Sequence, residues 1–234
     1  MIARVDLPER VPIDWARLIE RLCFLYPPVI GVGAVGVLEE ADPGVPGLGR
    51  ALVLFGTFGY TVLTVGLMAT TYVDARRLRS RGGWHPSPIL NPVFAFFVPP
   101  LAGVVYLARR HRHYGTPGGW SGWWLVVAGS TLVTVLGLTA AIVGFVLAIP
   151  GLVVTAVGLS GAVAVGVFPA ALHQDAAYVC ASGAGWRPNP GVYLGLAFAS
   201  LFVPFMLPVL GAYYLAKRRR TVGLEGPDVP AVLS

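Results

Sequence analysis

ALVLFGTFGYTVLTVGLMATTYV, residues 51–73, is 23 residues without a single charge or histidine. A helix rises about 1.5 Å per residue and needs about 20 residues to cross the hydrocarbon core of a bilayer. This run is long enough, and it has company. Residues 89–108, 123–149, 151–172 and 191–216 are equally free of Asp, Glu, Lys, Arg and His. One such run could be a buried helix of a soluble domain, but five in 234 residues could not. The apolar character is unbroken along each run, whereas a membrane β-barrel strand would alternate in polarity. The reading is therefore an all-α, polytopic transmembrane helix bundle.

Composition agrees. Hydrophobic residues make up 56% of the chain and charged ones 12%, about half of what a soluble domain carries. Mean hydropathy is +0.71. The net charge of +6 comes from 17 basic residues that lie beside the runs, where they orient membrane helices, so it calls for no nucleic-acid partner. The two cysteines, Cys23 and Cys180, have no metal-ligand spacing and form no disulfide framework.

A sixth span is read in residues 22–38, which hold Pro27 and Pro28. Four acids and four arginines precede this stretch and no small-residue cleavage site follows it, so a signal peptide is disfavoured. Its alternative is a helix lying in the interface, which would leave five spans. Six crossings place twelve basic residues on one side and five on the other, whereas five crossings give nine against eight. The positive-inside rule thus favours six spans in the cell membrane with both termini cytoplasmic. The basic cluster Arg109–Arg112 then falls on the wrong side.

The chain also repeats itself. Asp74-Ala75 recurs as Asp175-Ala176, and Trp84-His85-Pro86-Ser87-Pro88 as Trp186-Arg187-Pro188-Asn189-Pro190. Residues 94–112 align without a gap to 202–220 and keep nine identities in nineteen positions, among them Gly103/Gly211 and Tyr106/Tyr214. Each copy contains three runs, which predicts two three-helix repeats over 22–117 and 118–220. An interfacial N-terminal segment (1–21) and a disordered tail (221–234) would flank them. Three crossings per copy would make the repeats inverted.

The unit Tyr72-Val73-Asp74-Ala75, Trp84-His85-Pro86-Ser87-Pro88 and Tyr106-Leu107-Ala108-Arg109-Arg110 resembles one found in uncharacterised multi-pass membrane proteins of halophilic archaea. The resemblance covers about 40 residues in each half. The second copy departs from it, with His173-Gln174 before the Asp and no arginine cluster after it. The resemblance implies a membrane topology and no particular activity.

Few residues point to chemistry. No ionisable residue lies within a run, and the nearest are Asp74, His173 and Asp175 at run ends, so these are the candidates for ligand or proton contact. Pro92, Pro99 and Pro100 interrupt the third run, while Pro204 and Pro208 interrupt the sixth. Each proline frees a backbone carbonyl, and matched broken helices in two halves point to a transporter's midplane site. Pro100 and Pro208 are the positions taken to line such a path. The repeat-signature residues Trp84, Pro86, Pro88, Gly103, Tyr106 and their counterparts Trp186, Pro188, Pro190, Gly211, Tyr214 read as structural anchors.

No nucleophile elbow, phosphate loop or zinc-protease motif occurs. The expectation is a non-enzymatic membrane protein with no cofactor, no metal and no recognisable small-molecule ligand. Its partners would be the lipid bilayer and, through stripes of small residues, further copies of itself. A small-solute carrier or channel is the alternative, and a membrane-embedded enzyme comes third.

Overall fold

A computed structural model describes residues 14–41, 44–80, 83–203 and 205–224. Most of the expected N-terminal segment and of the C-terminal tail therefore lies outside the described residues. The described chain forms helices α1 (Trp15–Ala41), α2 (Leu48–Leu78), α3 (Leu90–Phe97), α4 (Pro99–Tyr114), α5 (Trp123–Val146), α6 (Pro150–Gly166), α7 (Phe168–Ala181), α8 (Pro190–Ser200) and α9 (Met206–Thr221). No strand is present among the described residues.

Four helices are long and apolar enough to cross a membrane: α1, α2, α5 and the kinked pair α6–α7. The segment 22–38 is the body of α1, a continuous 27-residue helix that accommodates Pro27 and Pro28. The third and sixth of the six expected spans are not among these four helices. There the chain folds into α3 and α4, with 8 and 16 residues, and into α8 and α9, with 11 and 16. Helices of these lengths rise about 12 to 24 Å, short of the roughly 30 Å hydrocarbon core.

The breaks follow from proline chemistry. Pro99 and Pro100 have no N–H to donate to Ala95 and Phe96, so the helical ladder stops and Val98 leaves helical geometry (φ −140°, ψ 67°). Beyond the break the chain turns back. Ile89, Pro92 and Val93 of the α3 arm share a shallow groove with Val65, Met68 and Tyr72 of α2. On α4, Gly103 lies against Leu67 and Cys23, and Tyr106 and Arg110 both reach Asp74. From Leu67 to Asp74 and from Gly103 to Arg110 are equal steps in one direction, so α4 runs parallel to α2. The hairpin tip is about one turn before Gly103, level with the middle of α2. Trp84 before α3 stacks on His113 at the end of α4, with ring centroids 5.8 Å apart. Both ends of the hairpin are therefore at the same end of the bundle.

The second hairpin returns in the same manner. Trp186 before α8 lies 5.0 Å from the Lys217 ammonium near the end of α9, and Gly211 packs on Thr131 of α5. Each half of the chain supplies two helices long and apolar enough to cross a membrane.

The halves join where α8 runs antiparallel to α4. A Cβ on Gly191 would lie 2.6 Å from the Ala108 Cα, and one on Gly195 would lie 2.8 Å from a Val104 methyl. Only glycine allows this approach. Asn189 fixes the register: its amide donates to the Ala108 carbonyl (2.9 Å), and its oxygen caps α8 at Val192 N (3.2 Å). Gly191→Leu is expected to force the halves apart, lowering stability by roughly 1–3 kcal/mol. A thermal melt of the purified chain in detergent checks this, with Gly129→Leu, where a Cβ meets open space, as the neutral comparison.

Candidate functional site

Asp74 and Asp175, singled out as polar residues at run ends, each anchor a hairpin. Asp74 sits near the C-terminal end of α2, where Tyr106 Oη donates to its Oδ2 at 2.8 Å and Arg110 Nε at 3.1 Å. Asp175, on α7, has the same partners one copy later: Tyr214 Oη at 2.8 Å and Arg218 Nε at 2.9 Å, both to Oδ2. Trp84 packs on Tyr106 and Trp186 on Tyr214, each with ring centroids 5.3 Å apart. Trp84, Tyr106, Trp186 and Tyr214 are thus the walls of two buried Asp–Tyr–Arg clusters. Pro86 and Pro188 are buried beside them.

Between the prolines, Ser87 and Asn189 cap the helices that follow, accepting from Leu90 N at 3.1 Å and from Val192 N at 3.2 Å. Each cap leaves one fewer unpaired donor at a helix start. Pro88 precedes α3, and Pro190 opens α8 at a position where the missing N–H costs nothing. The signature is a helix-entry device beside a charged anchor.

The two clusters differ in burial. The Asp175 and Arg218 side chains are 0% and 3% exposed, against 6% and 17% for Asp74 and Arg110. Arg218 also lies 5.7 Å from the Trp124 ring and 5.9 Å from that of Tyr178. Removing one partner of a buried pair strands the other charge, which costs about 3–5 kcal/mol. Asp175→Ala should therefore lower the melting temperature more than Asp74→Ala. Tyr214→Phe, which removes one hydrogen bond to a charge, should cost about 1.5–3 kcal/mol. Denaturation of the three variants in one detergent gives the ranking.

His173 is not part of the Asp175 cluster. Two residues apart on α7, the side chains point to different faces, and His173 packs edge-on against Phe24 of α1 at 5.3 Å. It is 1% exposed, and its Nδ1 meets no hydrogen-bond partner among the described residues. The adjacent Gln174 lines one pocket with Glu20 of α1, a carboxylate only 6% exposed. Nearby, Cys180 Sγ lies 3.3 Å from His111 Nε2, whose Nδ1 is 2.9 Å from Thr116 Oγ1. His111 lies beyond the apolar part of α4, and burial holds its imidazole below the usual histidine range.

A polar seam thus runs between the halves through Glu20, Gln174, His111 and Cys180. Reading the chain as a string missed Glu20, which counts there as one more charge in an N-terminal segment. Its signal was its spacing, since Ala16, Glu20, Cys23 and Pro27 fall on one helical face that is otherwise apolar and buried.

Pro100 and Pro208 lie at corresponding places in the two hairpins, one turn or less from the breaks, and both are half-buried. Around them Phe97, Leu101, Phe202, Phe205 and Val209 are exposed and apolar. No group of three or more His, Cys, Asp or Glu suited to a metal ion occurs among the described residues. No family model, curated protein or solved structure matches the chain.

Proposed function

We propose that this is a non-enzymatic multi-pass protein of the cell membrane, with four crossings, two re-entrant hairpins and both termini cytoplasmic. It would be built from two copies of one unit in the same orientation, and would serve as a fixed platform whose polar seam faces the cytoplasmic headgroups. The observation that carries this is the return of both hairpins: Trp84 meets His113 and Trp186 meets Lys217, so each broken run begins and ends on one side.

Charge supports the reading. The hairpin ends then share a side with the start of α1, the end of α2, the start of α5 and the end of α7. On that side lie Arg17, Arg21, Arg76, Arg77, Arg79, Arg109, Arg110, Arg112, Arg187, Lys217, Arg218, Arg219 and Arg220. Among the described residues only Arg50 is left for the other side, together with Glu39 and Glu40. This is a stronger positive-inside bias than six crossings offer, and it removes the misfit at Arg109–Arg112.

Duplication is supported by matching contacts as well as by matching letters. Cys23 against Gly103 answers to Thr131 against Gly211, and the two Asp–Tyr–Arg clusters share donors and acceptor atoms. A parallel pair follows from two crossings per copy. The buried ion pairs hold the hairpins in place, which suits a platform better than a carrier that must rearrange. The separation of His173 from the Asp175 cluster favours the non-enzymatic reading. The open flank of α6, where Gly158, Gly161 and Gly166 meet nothing within 4 Å, supports self-association.

A channel or carrier is the second reading, favoured by one feature. The carbonyls freed by Pro99 and Pro100 sit at mid-membrane depth, where backbone groups need a partner or water. If those tips line an aqueous path, cysteines placed at Pro100 and Pro208 will react with a membrane-impermeant thiol reagent. The platform reading expects silence at both.

Topology is the direct test of the arrangement. Reporters fused after Tyr114 and after Gly185 should read cytoplasmic, and a tag inserted after Val45 should read external. An external reading after Tyr114 would make the third run a crossing and overturn the four-crossing arrangement.

A further inference from the structure

The two copies keep their anchors and diverge at one seam. Matching Trp15 to Trp123 and Cys23 to Thr131 aligns α1 with α5, so Arg17, Glu20 and Arg21 stand where α5 has Leu125, Ala128 and Gly129. Likewise His173 and Gln174 replace Tyr72 and Val73 beside the retained Asp. These substitutions, made in different halves, meet: Arg17, Glu20 and Arg21 line one pocket with Gln174 across the seam.

The seam opens into a pocket of about 260 Å³ lined by Arg17, Glu20, Arg21, Phe24, Trp123 and Gln174. Glu20 is 6% exposed and forms no ion pair within 4.0 Å among the described residues. A buried carboxylate with an amide as its neighbour retains unused acceptor capacity and favours a donor brought from outside. Arg17 and Arg21 are one helical turn apart on the same face, and Arg17 reaches Asp14 only through an exposed pair at 3.4 Å. Guanidinium groups so placed suit a phosphate ester. Trp123 marks the headgroup level, and its neighbour Trp120 packs on it at 5.7 Å.

We propose that this pocket binds the headgroup of an anionic phospholipid, the phosphate diester held by Arg17 and Arg21 and a headgroup hydroxyl donating to Glu20. Basic pockets between helices on the cytoplasmic side are suited to such headgroups. The proposal rests on the reading that puts the start of α1 on the cytoplasmic side, and it gives the platform a ligand class.

The test is native mass spectrometry of the full chain in detergent, titrated with phosphatidylglycerol, phosphatidylcholine and phosphatidic acid. Wild type should retain one phosphatidylglycerol with a preference of about 10-fold or more over phosphatidylcholine, as expected for a charge-assisted contact. Arg17→Gln with Arg21→Gln should abolish the preference, while Arg219→Gln with Arg220→Gln, which removes equal charge from the same face, should leave it. Glu20→Gln should keep selection for anionic lipid and lose the preference for phosphatidylglycerol over phosphatidic acid, which lacks headgroup hydroxyls.

Equal retention of all three lipids by wild type, or equal loss in both double variants, would overturn the proposal. Displacement of bound lipid by millimolar glycerol phosphate would overturn the lipid assignment in favour of a soluble phosphate ester. Circular dichroism melts identify a variant that has failed to fold, and Arg17→Lys with Arg21→Lys then supplies the comparison: it should keep charge and weaken the preference. Binding in detergent carries no membrane orientation, so its outcome is separate from that of the topology reporters.

Discussion

A carboxylate withdrawn from water at the end of a membrane helix must be neutralised and hydrogen-bonded. In this chain that requirement sets the course of the polypeptide. Asp74 and Asp175 each receive a tyrosine hydroxyl and an arginine Nε from a helix that has turned back toward them. Had the third and sixth runs crossed the bilayer, Arg110 and Arg218 would have ended a membrane thickness away from these carboxylates. The proline breaks permit the turn, and the buried ion pair gives it a destination. Tryptophan, the capped helix entry and the close approach at Gly103 and Gly211 all serve the same contact.

Much of this was legible in the letters. Apolar run length pointed to helices long and apolar enough to cross a membrane, and self-comparison found the residues that turn out to make equivalent contacts: the aspartates, the tryptophans, Tyr106 and Tyr214, Arg110 and Arg218. What run length could not tell was a crossing from a hairpin, because 89–108 is long enough for either and hydropathy carries no direction. The signs were present as Pro99-Pro100 in mid-run and as a basic cluster, Arg109–Arg112, that six crossings placed on the wrong side. Asp74 and Asp175 stood out as polar groups at run ends but could not be paired with the arginines from spacing alone, since the partners are 36 and 43 residues away. Glu20 escaped notice because its importance lies in Gln174, which only the packing of α1 on the second half brings near.

Parallel copies have a consequence that inverted ones lack. In the four-crossing arrangement we propose, both halves present their basic ends and their polar seam to the same compartment. Divergence between them can then build a one-sided site without disturbing the anchors. The retained Asp–Tyr–Arg clusters and the altered residues at Glu20, His173 and Gln174 fit that division: one set holds the hairpins, the other lines the junction. Asn189 and Gly191, which fasten α8 to α4, keep the junction closed.

The central claim is that the broken third run returns to the side it left. Spin labels at His85 and His113, in a chain whose Cys23 and Cys180 are replaced by serine, measure this in a lipid bilayer. The re-entrant arrangement predicts a separation under about 20 Å, label arms included, with the flanking Trp84 and His113 rings 5.8 Å apart. A continuous crossing of the same 24 helical residues would separate the labels by about 36 Å, and that distance would contradict the account.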